Sequence, residues 1–227
     1  MVTANKPQEQ KEHVQIPHGI VDYTITFEKP TLGIWTNVQF QMRDVLDVLG
    51  PHGFTLEGVE VSPNVAKPAE HHIAFRRTNP ALAFNLWLGK LSVTADNLSW
   101  DQKEWALGIF SAGIDAILKK TGAKIATHQI TLAMHVQLSS KTVAEITAPL
   151  LSPTTATLLD SPIAFSGIVL LREQSTLIVD RSLAFANSMF VRFIRVHPAA
   201  VPLPEIAEQL YKDEHQFFDA LGLEGEM

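Results

Sequence analysis

Residues Thr127 to Leu138 alternate apolar and polar side chains in the manner of a half-buried strand and close on Val136-Gln137-Leu138. Near the start of the chain, Leu32 to Phe40 reads the same way and closes on Val38-Gln39-Phe40, 98 positions earlier. The same order of elements follows each stretch. A chain that restarts in this way is restricted to two similar α+β halves in tandem. The expected boundaries are a mobile tail over 1–20, a first half over 21–122 and a second over 123–227, packed as one compact unit.

The first half carries a strand from Val21 to Phe27, interrupted by Lys29-Pro30 because proline cannot donate to a ladder. After the strand ending at Phe40 comes a short helix, Arg43 to Leu49, stopped by Gly50-Pro51. Strands follow at Phe54–Val61 and His71–Arg76. A hairpin then runs through Leu82, Phe84, Leu86 and Leu88, turns at Gly89-Lys90, and returns through Leu91, Val93 and Ala95. The strongest helix in the sequence covers Gln102 to Lys119. Trp105, Ile109, Phe110, Ile114 and Ile117 form a broad apolar stripe that needs a sheet or another helix to cover it, and Gly122 stops the helix. Gly108 and Gly113 inside it suggest close packing.

The second half repeats this order. Thr142 to Leu151 is a short helix, and strands are expected at Ile163–Leu171, Thr176–Asp180 and Met189–Val196. Pro204 suits the first turn of a final helix whose buried face is Ile206, Leu210, Phe217 and Leu221. The fold class is therefore α+β: a tandem pseudo-repeat of strand, short helix, antiparallel strands and long helix. The helices lie on one face of a curved antiparallel sheet.

Composition narrows the function. The 227 residues carry a formal net charge of −6, a poor endowment for neutralising phosphates, which argues against nucleic acid. With no cysteine, thiolate metal sites, disulfides and cysteine nucleophiles are excluded. No apolar run is long enough to span a bilayer, and the polar opening segment is unlike a signal peptide; a cytoplasmic location is expected.

The run Phe27-Glu28-Lys29-Pro30-Thr31-Leu32, with Val38-Gln39-Phe40, resembles the first strand of a sporadically distributed bacterial α+β family that has no assigned function. Ala83-Phe84-Asn85-Leu86-Trp87 departs from that family's middle-strand pattern of tryptophan and arginine. The repeated element order is also similar to the TATA-binding-protein fold, a saddle of two halves. That likeness concerns architecture, and fold does not fix function.

The side chains offer few chemical signatures. Nine histidines invite a metal, but His71 and His72 are adjacent and His128 and His135 differ by an odd number, so on strands each pair diverges. No metal and no cofactor are expected. Asp44, Asp47, Asp213 and Glu214 fall where solvated helix faces are expected. No nucleophile elbow, G-x-G-x-x-G or phosphate-binding loop is present. Arg192 and Arg195 differ by three and face opposite ways on a strand, so one can line a concave sheet face and pair with an anion. Trp87 points away from Leu86 and Leu88 and marks a second candidate binding surface. Arg192 and Trp87 are the candidate ligand-binding residues. The reading is a non-enzymatic binding or assembly module, with homo-oligomerisation through the sheet edge or face. The alternative is an enzyme or small-ligand binder with a pocket between the sheet and the long helices.

Overall fold

The computed structural model describes residues 11–31, 38–63, 66–98, 102–150 and 167–225. The strands are β1 (Glu12–Phe27), β2 (Val59–Ser62), β3 (His72–Thr78), β4 (Ala81–Trp87), β5 (Lys90–Leu98), β6 (Ile125–Leu138), β7 (Ile168–Arg172), β8 (Ser175–Arg181), β9 (Ser188–Pro198) and β10 (Leu223–Gly225). The α-helices are α1 (Val38–Leu49), α2 (Lys103–Thr121), α3 (Val143–Thr147) and α4 (Leu203–Ala220). No helix among them is long and apolar enough to cross a membrane.

All ten strands belong to one curved sheet in the order β2-β3-β4-β5-β1-β6-β9-β8-β7, antiparallel throughout except that β10 pairs parallel with the start of β1. The order reads alike outward from its centre. β1 and β6 lie side by side, and each is flanked by the strand that precedes its half's long helix, β5 or β9. Beyond these come β4 or β8, then β3 or β7. The tandem pseudo-repeat of element order is thus realised in three dimensions.

The residue register of that repeat differs from the sequence expectation. Val38-Gln39-Phe40 belongs to α1, whereas Val136-Gln137-Leu138 ends β6. An offset of 98 therefore set a helix against a strand. The pattern V-Q-F-Q-M alternates, but it also repeats at helical spacing, and the helix prevails. The true counterpart of β6 is β1, which begins at Glu12, well inside the stretch expected to be a mobile tail. Residues 32–37, and positions 163–166 of the strand expected over Ile163–Leu171, lie outside the described residues; the rest of that strand is β7. Pro17 explains why the early part of β1 does not read as a strand. It sits where the β1–β6 register shifts between Gln15 and His18, the kind of irregularity that tolerates a residue without an N–H.

One face of the sheet is covered. Tyr23, Ile25, Phe84, Leu86, Val93, Ile130, Leu132, Met134, Val191 and Phe193 alternate into a single buried core with α1, α2 and α4. Burying each large apolar side chain contributes about 1.5–3 kcal/mol. α2 supplies Ala106, Ile109, Phe110, Ile114 and Ile117 to this core, as its periodicity requires. Trp105 is an exception: it is 39% exposed, and the Arg77 guanidinium lies 5.2 Å from its ring centroid. In the first helical turn its ring is covered by a cation rather than by the sheet. Gly113 permits close approach, since an added Cβ would lie 2.3 Å from Phe84 Cε1, but Gly108 faces open space. Gly122 and Gly222 end the long helices at φ 62° and 63°.

A buried carboxylate closes the start of β1. Glu12 accepts hydrogen bonds from Ser140 N (2.6 Å), Ser140 Oγ (2.5 Å) and Lys141 N (3.1 Å), just before α3. The Ser140 hydroxyl and the backbone amides favour the ionised form and lower its pKa to about 2. Thr142 then opens α3 with a capping box to Glu145.

Candidate functional site: the helix-free sheet face

Among the described residues no helix lies on the other face of the sheet. Cross-strand register sets its side chains out in rows. Asp22 on β1 lies between Thr94 on β5 and Thr131 on β6; Thr24 lies between Ser92 and Gln129; Ala133 on β6 lies opposite Arg192 on β9. Ile20, Asp22, Thr24, Ser92, Gln129, Thr131, Ala133, Phe190, Arg192 and Ile194 line a shallow groove of about 370 Å³. The hydroxyls of Thr24, Ser92 and Thr131 and the amide of Gln129 lie beside the apolar Ile20, Ala133, Phe190 and Ile194, with Asp22 on β1 and Arg192 on β9. Thr24 Oγ1 and Ser92 Oγ are 3.5 Å apart.

Arg192 is the cation of this groove. Its guanidinium carbon lies 5.3 Å from the Phe190 ring centroid, and its Nε is buried with no hydrogen-bond partner among the described residues. Arg195 has the opposite fate on the covered face. It forms a bidentate pair with Asp213 of α4 through Nε–Oδ2 and Nη2–Oδ1, both 2.5 Å, and that hydrogen bonding raises its pKa. The spacing of three placed the two arginines on opposite faces; α4 determines which of them is consumed structurally.

Trp87 also lies on the open face but not in the groove. It pairs with His72 on β3, and Lys90 Nζ sits 4.4 Å from its ring centroid. Four strand spacings, about 19 Å, separate β4 from β9. The structure therefore does not bring the two sequence-level candidates together. Asp22, Gln129 and Thr131, which were not singled out, stand with Arg192 instead. Their signal was available only as polar positions inside otherwise apolar strands, and it becomes specific once the register is known.

The histidines separate as the odd spacing requires. On the open-face rim, His18 Nε2 meets Asp96 Oδ1 at 2.9 Å, and His135 Nδ1 lies 2.9 Å from Ser182 Oγ. Ser182 Oγ accepts N–H groups from Ala184 and Phe185, fixing the loop before β9, and donates its proton to the imidazole. Burial, and His18 beside it, lower the His135 pKa. On the covered face, the Tyr23 hydroxyl hydrogen-bonds His128 Nδ1, and His128 Nε2 donates to Ala199 O at 3.1 Å. Burial raises the Tyr23 pKa. His197, the cross-strand partner of His128, has a buried Nε2 without a hydrogen-bond partner among the described residues. Its pKa is lowered by burial, then by Arg195 and His128. Among the described residues no three His, Asp or Glu side chains gather as a metal site.

The pocket anticipated between the sheet and the long helices is divided. A small cavity of about 10 Å³ lies between α1, α2 and the sheet, among Val45, Phe75 and Ile117. A cleft of about 350 Å³ runs beside α4, but its charged groups, Arg195 and Asp213, already satisfy each other. A cavity of about 170 Å³ at the β10 end includes Lys11 and Asp219, which also form an ion pair at 2.9 Å. The open-face groove differs in that its cation forms no ion pair among the described residues and its Nε has no hydrogen-bond partner among them.

No family model matches the chain, and no curated protein matches it. Solved structures do match, among them the Methanococcus jannaschii TBP. It is 14% identical, with a TM-score of 0.29, and the alignment covers 92% of this chain and 99% of that one.

Proposed function

We propose that this protein is a non-enzymatic binding module whose working surface is the helix-free sheet face, with Arg192 as the residue that takes an anionic group of the partner. The observation that carries this reading is the Arg192 Nε, buried on an open face without a partner among the described residues. A buried donor left unsatisfied costs about 1–3 kcal/mol, more when charged, and an incoming carboxylate or phosphate removes that cost. The hydroxyls of Thr24, Ser92 and Thr131 and the amide of Gln129 supply further hydrogen bonds, while Phe190 and Ile194 supply apolar contact. Trp87 lies too far away to share a small ligand with Arg192.

The test is a thermal-melt panel of the full chain with acetate, succinate, phosphate and sulfate at constant ionic strength. At least one anion is expected to raise the melting temperature of the wild type and to lose that effect in Arg192→Gln. A panel with no rise, or a rise retained in Arg192→Gln, overturns the assignment.

A further inference from the structure

The groove contains a second charge, and its position relative to Arg192 points to a particular occupant. Asp22 pairs with Thr131, and Arg192 pairs with Ala133, two residues further along β6. The two charged residues thus flank β6, two strand spacings apart and two residues out of line, which puts their Cα atoms about 12 Å apart. They make no ion pair with each other. Other carboxylates on this face already have partners, Asp96 with His18 Nε2 at 2.9 Å and Glu60 with Arg76 at 3.4 Å.

Resting on the reading that the open face is the working surface, we propose that its occupant is a second copy of this chain. The copies dock face to face so that Arg192 of each meets Asp22 of the other. A two-fold axis in the plane midway between two stacked sheets, perpendicular to the Asp22–Arg192 line and passing over its midpoint on β6, exchanges the two positions. One operation therefore forms both ion pairs, as an isologous interface demands. Stacked sheets lie about 10 Å apart, a gap that an arginine and an aspartate can bridge together.

Beside the two charges side-chain size follows the same antisymmetry, with Ile20 on the groove's edge and Trp87 at the far margin of the face standing apart from it. Outward from Asp22 the first half presents Thr94, Ala83 and Ala81, whereas the second half presents Ile194, Ile178 and Phe190. Exchange of the halves sets large apolar groups against small ones. The net charge of −6 opposes self-association at long range. That field is screened beyond about 8 Å at physiological ionic strength, whereas the two central pairs act at contact.

Sedimentation velocity of the full chain, from micromolar to submillimolar concentration, tests this directly. The wild type is expected to dimerise. Asp22→Arg and Arg192→Asp should each weaken the dimer at least about tenfold by setting like charges opposite each other. The combined charge swap should restore the wild-type dissociation constant to within about threefold. Thr131→Lys, which brings two cations together near the axis, should also dissociate the dimer and serves as an independent variant should a charge reversal fail to fold. A wild type that stays monomeric, a dimer indifferent to these variants, or a folded double variant that does not reassociate overturns the proposal. A monomer whose melting temperature still rises with an anion through Arg192 overturns the dimer alone. A monomer with no such rise overturns the open-face reading as well.

Discussion

Gly113→Ala sets two opposing effects against each other at the centre of α2. In an exposed helix interior the change is favourable by about 1 kcal/mol, because alanine has less backbone freedom to lose. Here the new Cβ would lie 2.3 Å from Phe84 Cε1, 2.4 Å from Phe84 Cζ and 3.0 Å from Leu49 Cδ2. The contacts to the ring are more than 1 Å closer than carbon atoms settle at. Phe84 has little room to yield. It is fully buried, and its ring is met edge-on by Phe54 at 5.7 Å and by Phe110 at 6.3 Å between centroids. Overpacking of a filled core costs about 1–3 kcal/mol, occasionally more, and three-sided confinement places this site at the upper end. The net expectation is a loss of about 1–2 kcal/mol. Gly108→Ala is the control: its Cβ meets nothing within 4 Å on the same helix, so the propensity term acts alone and stability should rise by up to about 1 kcal/mol. Urea melts of the two variants should move the midpoint in opposite directions. Phe84→Leu in the Gly113→Ala background should cost less than Phe84→Leu alone, because the smaller side chain relieves the clash. If Gly113→Ala is as stable as the wild type, or if the two glycine variants behave alike, then α2 does not pack on β4 as described.

Two further expectations concern pH. The Glu12 carboxyl is depressed to about 2, below its ordinary 4.5, so its contribution is present above pH 4.5 and lost as the pH falls through about 2. Glu12→Gln should cost about 1.5–3 kcal/mol at pH 7 and flatten the acid limb of a stability–pH curve, measured by urea melts between pH 3 and 7. His197 is depressed from 6.5 by burial, so the unfolded chain binds the proton first and stability should decline as the pH falls below 6.5. The slope from this one group should be no steeper than about 1.4 kcal/mol per pH unit, and His197→Phe should remove it.

How far the sequence revealed these features depended on whether a pattern was local. The β4–β5 hairpin, the core stripe of α2 and the stop at Gly122 were legible because period and turn chemistry are written within a dozen residues. The first strand was not, because Pro17 and the polar Gln15 and His18 conceal its alternation, and the register shift that accommodates them appears only against β6. Glu12 looked like tail because its partners, Ser140 and Lys141, lie 128 and 129 positions away. Arg192 and Arg195 could be placed on opposite faces by spacing alone. Which of them remained uncommitted depended on Asp213, a residue of a helix whose position against β9 no periodicity states.

The placement of the groove follows from the same long-range pairing. Asp22 belongs to the first half and Arg192 to the second, and they share a face only because β1 and β6 run side by side with Asp22 opposite Thr131. Neither half could form the site by itself. A shift of one residue in that register would turn Asp22 into the core and bring Tyr23 out. Burial on the covered face opposes such a slip: Tyr23, Ile25, Ile130 and Leu132 all point into the core, and the Tyr23 hydroxyl engages His128 there. The apolar alternation that holds the two halves together thus also fixes which polar residues reach the open face. That arrangement sets a carboxylate on one side of the sheet's centre and a guanidinium on the other.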